Sequence, residues 1–151
     1  MKPYRQGKHE PLPTADVHLE NLVADVEDAQ CALYEVTLLV GGAVISGTIV
    51  PASAHWSGRV ELLERSAAAA GVDQESIERI TRRDRFDAAA AAASAEDLGE
   101  DKGRPSYIHL ATARFAFGQR LIPDEGMHVR LRIDRIDGWG LGRLGTPEHF
   151  G

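Results

Sequence analysis

The sequence predicts an α+β domain: a small, strongly bent antiparallel sheet with an N-terminal helix and a helical insert between strands 2 and 3. Three observations predict it. Leu33–Leu39 and Val44–Val50 are apolar runs hinged on Gly41-Gly42, each alternating with period two as a β-hairpin does. Tyr107–Phe117 and His128–Leu144 are strand-like in the same way near the other end of the chain. Between the two halves lie helix formers, oppositely charged residues four apart and a run of alanines.

A chain of 151 residues with 43% apolar and 26% charged residues suits one globular domain. We place that domain at 14–145, with the helical, Ala-rich insert at about 57–103 and tails at 1–13 and 146–151. Pro3, Pro11 and Pro13 among polar residues mark the first tail as flexible. Thr14 is the expected cap of a helix running to about Asp28, with Asp16 in its first turn. Leu19, Leu22, Val23 and Val26 form its apolar stripe, and its carboxylates read as exposed. The hairpin follows. Val36, Leu38 and Val40 share one side of its first strand, and Pro51 ends its second.

Ser57 is the expected cap of the first insert helix, which holds Leu62 and Leu63, sets Glu61 four before Arg65 and stops at Gly71. Asp73 caps a second helix with Ile77 and Ile80, supported by the pairs Glu75–Arg79 and Glu78–Arg82. Arg82, Arg83 and Arg85 read as a solvated helix end. Ala88–Ala93 reads either as a solvent-exposed helix or as a flexible linker, and the order of 86–103 stays open. In the second β-half, Ile108 and Leu110 share a face opposite Tyr107 and His109, Phe115 and Phe117 add bulk, and Gly118-Gln119 offers a turn. Val129, Leu131 and Ile133 then alternate with Arg130, Arg132 and Asp134, a half-buried strand with a charged outer face. Asp137-Gly138 provides a bend, beyond which Trp139 and Leu141 continue.

The chemical motifs are few. Gly140-Leu-Gly-Arg-Leu-Gly145 matches the dinucleotide string, but Pro147 follows instead of the helix whose N-terminus would hold a pyrophosphate. The histidines at 9, 18, 55, 109, 128 and 149 show no spacing typical of a metal site, and Cys31 is alone, so no cofactor or metal is expected. His109, flanked by Ile108 and Leu110, is expected to make a structural hydrogen bond. No local context supports a nucleophile, so the expectation is a non-enzyme. The lone cysteine suits a reducing interior. With neither an apolar leader nor a run long enough to cross a bilayer, the expected location is cytoplasmic.

Charge is unevenly placed. Between His9 and Tyr34 there is no Lys or Arg, while Glu10, Asp16, Glu20, Asp25, Glu27 and Asp28 are acidic. From Arg104 to Arg143 there are seven arginines against four acids. The net charge of −6 argues against nonspecific nucleic-acid binding. Opposite ends of opposite sign suit solvated faces of one domain or contact with a partner.

Two blocks resemble a known family. Val36-Thr-Leu-Leu-Val-Gly-Gly-Ala-Val-Ile-Ser-Gly-Thr-Ile-Val50 resembles its hairpin. Pro105-Ser-Tyr-Ile-His-Leu-Ala-Thr-Ala-Arg-Phe115, Ile122-Pro123 and Arg130-Leu-Arg-Ile-Asp-Arg-Ile-Asp-Gly-Trp-Gly-Leu-Gly142 resemble its second half. Together they resemble the gas vesicle accessory protein U family (GvpU-like), of which this would be a divergent member. The resemblance implies a non-enzymatic accessory protein that assembles, chaperones or clusters gas vesicles through contacts with shell or accessory proteins, in the cytoplasm and associated with the vesicle. The first hairpin also resembles an Sm-like small barrel, which gives an open five-stranded Sm/SH3-like barrel as the second form of the fold and an Sm-like RNA-binding module as the alternative function. Aromatic and arginine side chains are common anchors of interfaces, so Arg130, Arg132, Trp139, Tyr107 and His109 are the candidate partner-binding residues. Edge strands of a small open sheet invite pairing between subunits, so a homo-oligomer is expected.

Overall fold

A computed structural model describes residues 15–96 and 103–145. The expected tails at 1–13 and 146–151, the expected cap Thr14 and the stretch 97–102 lie outside the described residues. In chain order the elements are α1 (Val17–Ala29), β1 (Glu35–Val40), β2 (Ala43–Ile49), α2 (Ala52–Ala69), α3 (Gln74–Glu96), β3 (Tyr107–Phe117), β4 (Arg120–Arg132) and β5 (Gly138–Leu141). All five strands join one antiparallel sheet in the order β4-β3-β2-β1-β5. The sheet is open, with β4 and β5 as its edges, so the fold is the expected five-stranded antiparallel sheet and does not close into a small barrel.

α1 starts two residues later than the sequence suggested. Asp16 is its cap: one carboxylate oxygen accepts from the backbone N–H of His18 at 2.8 Å and of Leu19 at 3.1 Å. The predicted stripe is the buried one, with Leu19, Val23 and Val26 almost wholly hidden. They join Val36, Leu38, Ile45, Ile49, Ile108, Leu110, Ala113 and Ile133 in the main core. Removing each large side chain from water contributes about 1.5–3 kcal/mol. Glu20 corrects the expectation of exposed carboxylates: it is buried and meets Arg104 at 3.3 Å.

The β1–β2 hairpin turns on Gly41 and Gly42, both at positive φ, which the primed two-residue turns demand. Glycine at 47 serves another purpose. A side chain there would meet the backbone of Ala111 and Ala113 at 3.1 Å, so β2 and β3 approach closely only because Gly47 has none. β3 changes phase at Thr112, whose φ is +49°. Ile108 and Leu110 precede that irregularity, Ala113 and Phe115 follow it, and all four reach the core side. Opposite, Gly126 lies so close to Thr112 that an added Cβ would stand 2.6 Å from its Cα. β4 is longer than expected. It begins at Arg120 and fits Pro123, Asp124, Glu125 and Gly126 between its pairings with Phe115 and Ala113. After β5 the chain crosses the sheet. Leu144 N–H donates to Ser46 Oγ at 2.9 Å and Arg143 donates to the Thr112 carbonyl at 2.6 Å. Gly140-Leu-Gly-Arg-Leu-Gly145 is therefore strand and crossover, with no helix after it among the described residues.

The insert begins earlier than Ser57. Pro51 is the residue before the first helical turn and α2 starts at Ala52, where the fixed φ of proline suits a helix entrance. Gly71 at φ +76° ends α2, and Asp73 caps α3 by accepting from Ser76. α3 runs through all six alanines to Glu96, so this part of the stretch is helix, and Arg82, Arg83 and Arg85 lie inside it instead of at its end. Its side-chain pairs differ from those expected: Arg79 donates to Ser76 Oγ, Arg83 pairs with Asp87, and Arg85 reaches Glu64 on α2. α2 and α3 pack chiefly on each other, and α2 touches β3 and β4. Val60 and Ile77 are buried within this insert and do not belong to the main core. No helix among the described residues is long and apolar enough to cross a membrane.

Candidate functional site

Strand alternation turns Ile108 and Leu110 to the core, and so turns Tyr107 and His109 to the opposite face. The register sets Tyr107 beside Arg132 and His109 beside Arg130 on β4. The sheet thus brings four of the five predicted residues together. Trp139 is elsewhere. It lies on β5 at the far edge from β4, half-buried against the main core. With the Leu19 backbone N–H as the larger influence, its indole helps to hold the Asp16 carboxyl below the usual carboxylate range.

α2 lies over this face and supplies what the sequence reading missed. His55 is fully covered, with its ring centre 4.7 Å from that of His109 and 6.1 Å from that of His128. Trp56 packs edge-on against His55 at 4.9 Å. The guanidinium of Arg130 stacks 3.4 Å above the Tyr107 ring and 5.6 Å from Trp56, while Arg59 sits 5.5 Å from Trp56. Such cation–π contacts contribute about 0.5–1 kcal/mol each at half-exposed sites. Arg59 also bonds Asp84 of α3 at 2.9 Å, and Asp84 is itself buried. Gly58 allows the close seating: a Cβ there would meet His128 Nε2 at 2.5 Å.

The imidazoles are unusual in their lack of partners. Neither ring nitrogen of His55 or His109, nor Nδ1 of His128, has a hydrogen-bond partner among the described residues. The expected structural hydrogen bond of His109 is therefore absent from its ring. Burial, reinforced by His128, Arg59 and Arg130 against the opposing pull of Asp84, lowers the His55 pKa to about 4. Burial, then His55 and Arg130, lowers that of His109 to about 3. Both are neutral rings at pH 7. Among the described residues no group of three or more His, Cys, Asp and Glu side chains is arranged to hold a metal ion. Beside the cluster an open cleft of about 920 Å3 runs between α1, α3 and the start of β3, with Glu20, Glu27 and Asp28 on one wall and Tyr107 and His109 on another.

A family model described as Gas vesicle protein GvpU-like matches residues 16–144. The chain belongs to the GvpU-like family. The matched span takes in every helix and strand named above, the insert included. Membership makes this GvpU-like chain a gas vesicle accessory protein. No curated protein and no solved structure matches it.

His55, Trp56 and Arg59 could have been suspected from one sequence signal, whereas His128 on β4 carries none. His55-Trp56 and Arg59 fall on neighbouring positions of a helix that starts at Ala52, whereas a helix starting at Ser57 leaves the first two outside it.

Proposed function

We propose that this GvpU-like protein acts without catalysis, assembling, chaperoning or clustering gas vesicles through protein–protein contacts in the cytoplasm. The observation that carries the reading is the exposed Arg130 stacked on Tyr107 and Trp56, with Arg132 beside it. Arginine and large aromatic side chains with little freedom left to lose are the residue types that anchor interfaces. Arg132 is partly neutralised by Asp134, so Arg130 is the stronger anchor of the two. Trp56 takes the place that the sequence suggested for Trp139, and His109 lies underneath as support. Self-association belongs to the same proposal: light scattering above the 16.4 kDa of one chain is the expected result.

The test is a pull-down with purified gas vesicle shell protein, comparing wild type with Arg130→Glu/Arg132→Glu. Capture by the wild type and loss in the double variant is the expected outcome. No capture by the wild type would refute shell binding, and equal capture by both would move the contact to another face. A labelled single-stranded RNA titrated across a salt series serves as the counter-assay, with no salt-dependent shift expected at a net charge of −6.

A further inference from the structure

We propose that the α2–α3 insert is a proton-released cover over the Tyr107–His109–Arg130 face of the sheet. This cover is a packing of the chain on itself and needs no gas vesicle partner.

The cover is a separate unit. The main core draws its buried residues from α1, the strands and Ile133, and none from α2 or α3. The insert buries its own Val60, Ile77 and Thr81. Between the two units lies the histidine cluster. A seam of this kind is unlike the apolar contact that fixes α1. It sets imidazole on imidazole and Gly58 against the His128 ring. The ring nitrogens hidden there gain no protein hydrogen bond, so closure costs the hydration of those groups. A few polar ties hold the near end of α2: the Ala52 N–H donates to Glu27 Oε1 at 2.7 Å and Ser53 Oγ to Gln30 Oε1 at 2.9 Å.

Protonation has little to compensate it in the closed form. Facing the cluster are Arg59 from α2, Asp84 from α3, Tyr107 from β3, and His128 and Arg130 from β4. Glu20, Glu27 and Asp28 of α1 stand across the cleft that His109 borders. Asp84, the carboxylate that favours a charged His55, is already held by Arg59. An added imidazolium would therefore sit buried among cations. Once the insert lifts, the same rings meet water and titrate at ordinary values near 6.5. The closed form binds fewer protons than the open one, so closure is fully supported above pH 6.5 and weakens as pH falls towards 4 and 3. For two such rings the opening constant rises about 500-fold between pH 7 and pH 5, and for one ring about 20-fold.

The experiment is hydrogen exchange of the full chain, read by mass spectrometry from pH 7 to pH 5 and corrected for the intrinsic rate at each pH. The amides of α2 are expected to be less protected than those of β1 and β2 at every pH, and to lose about 500-fold in protection across the range. His55→Leu and His109→Leu are each expected to reduce that loss to about 20-fold. A single protection level shared by insert and sheet would overturn the proposal, as would an α2 protection that does not change with pH. Equal pH sensitivity in the wild type and both variants would overturn it too. Should a variant not fold, wild-type imidazole titration by NMR decides the matter. Ring signals of His55 and His109 that shift together with α2 opening support the cover, and independent titration near pH 6.5 refutes it.

Discussion

Gly58→Ala sets two known effects against each other at the seam between α2 and β4. In a helix interior alanine is favoured over glycine by about 1 kcal/mol. Against that, the new methyl would stand 2.5 Å from His128 Nε2 and 2.7 Å from Cε1, well inside contact distance. The ring has little room to retreat, since its Nδ1 is buried and His55 stands beside it. Overfilling of a packed site costs about 1–3 kcal/mol, so the net change is a loss of up to about 2 kcal/mol. With His128→Ala already in place the obstacle is gone, and Gly58→Ala is expected to stabilise by about 1 kcal/mol. The reversal of sign is the diagnostic. Urea unfolding of all four members of the cycle, followed by tryptophan fluorescence and circular dichroism, measures it. The coupling expected is about 1–3 kcal/mol, a midpoint difference on the order of 1 M. A stabilising Gly58→Ala in the wild-type background, with the same value in the His128→Ala background, would refute the packing argument.

Three further predictions concern the body of the fold. Gly126→Ala should cost about 3 kcal/mol or more, because it combines a positive φ with overlap onto the Thr112 backbone, and a thermal melt would show it. Leu110→Ala, at a fully buried position of the main core, should cost about 2–5 kcal/mol by denaturant titration. Stability should also fall by about 4 kcal/mol from pH 7 to pH 5, because His55 and His109 take up protons when released, and urea midpoints across that range would check it. Asp16 and Asp73 act with the opposite charge type but in the same direction. Their carboxyls are held below the ordinary range by backbone N–H groups, so the stability of their caps is present above pH 4 and disappears only below it.

The sheet was legible where side-chain period and backbone need coincide. Gly41-Gly42 between alternating runs left little choice but a hairpin, and the stripe of α1 pointed at the core it fills. Thr112 was not legible, because a left-handed residue that is not glycine carries no sequence mark, and only the close approach of Gly126 across the ladder accompanies it. The start of α2 was hidden by Pro51, which ends a strand and opens a helix at once. Of the site, alternation and register suffice to place Tyr107, His109, Arg130 and Arg132 on one face. That the α2 residues meet this face could not be read, since His55, His109 and His128 come from three elements whose meeting is decided by tertiary packing. Trp139 was drawn inward by the apolar neighbours that the same packing provides.

The stretch Pro123–Gly126 bears on how copies of this chain can meet. An outermost strand thirteen residues long would ordinarily offer a docking rail for an identical neighbour. Here Pro123 withholds a donor, Asp124 and Glu125 would face like charge across a twofold, and Gly126 leaves the extended conformation where it passes Thr112. Continuous lateral zippering is thereby blocked over that half. Strand-to-strand growth along β4 is left to the shorter run beyond Met127, and β5 at the other edge is only four residues long, so paired edges offer little length for endless fibres.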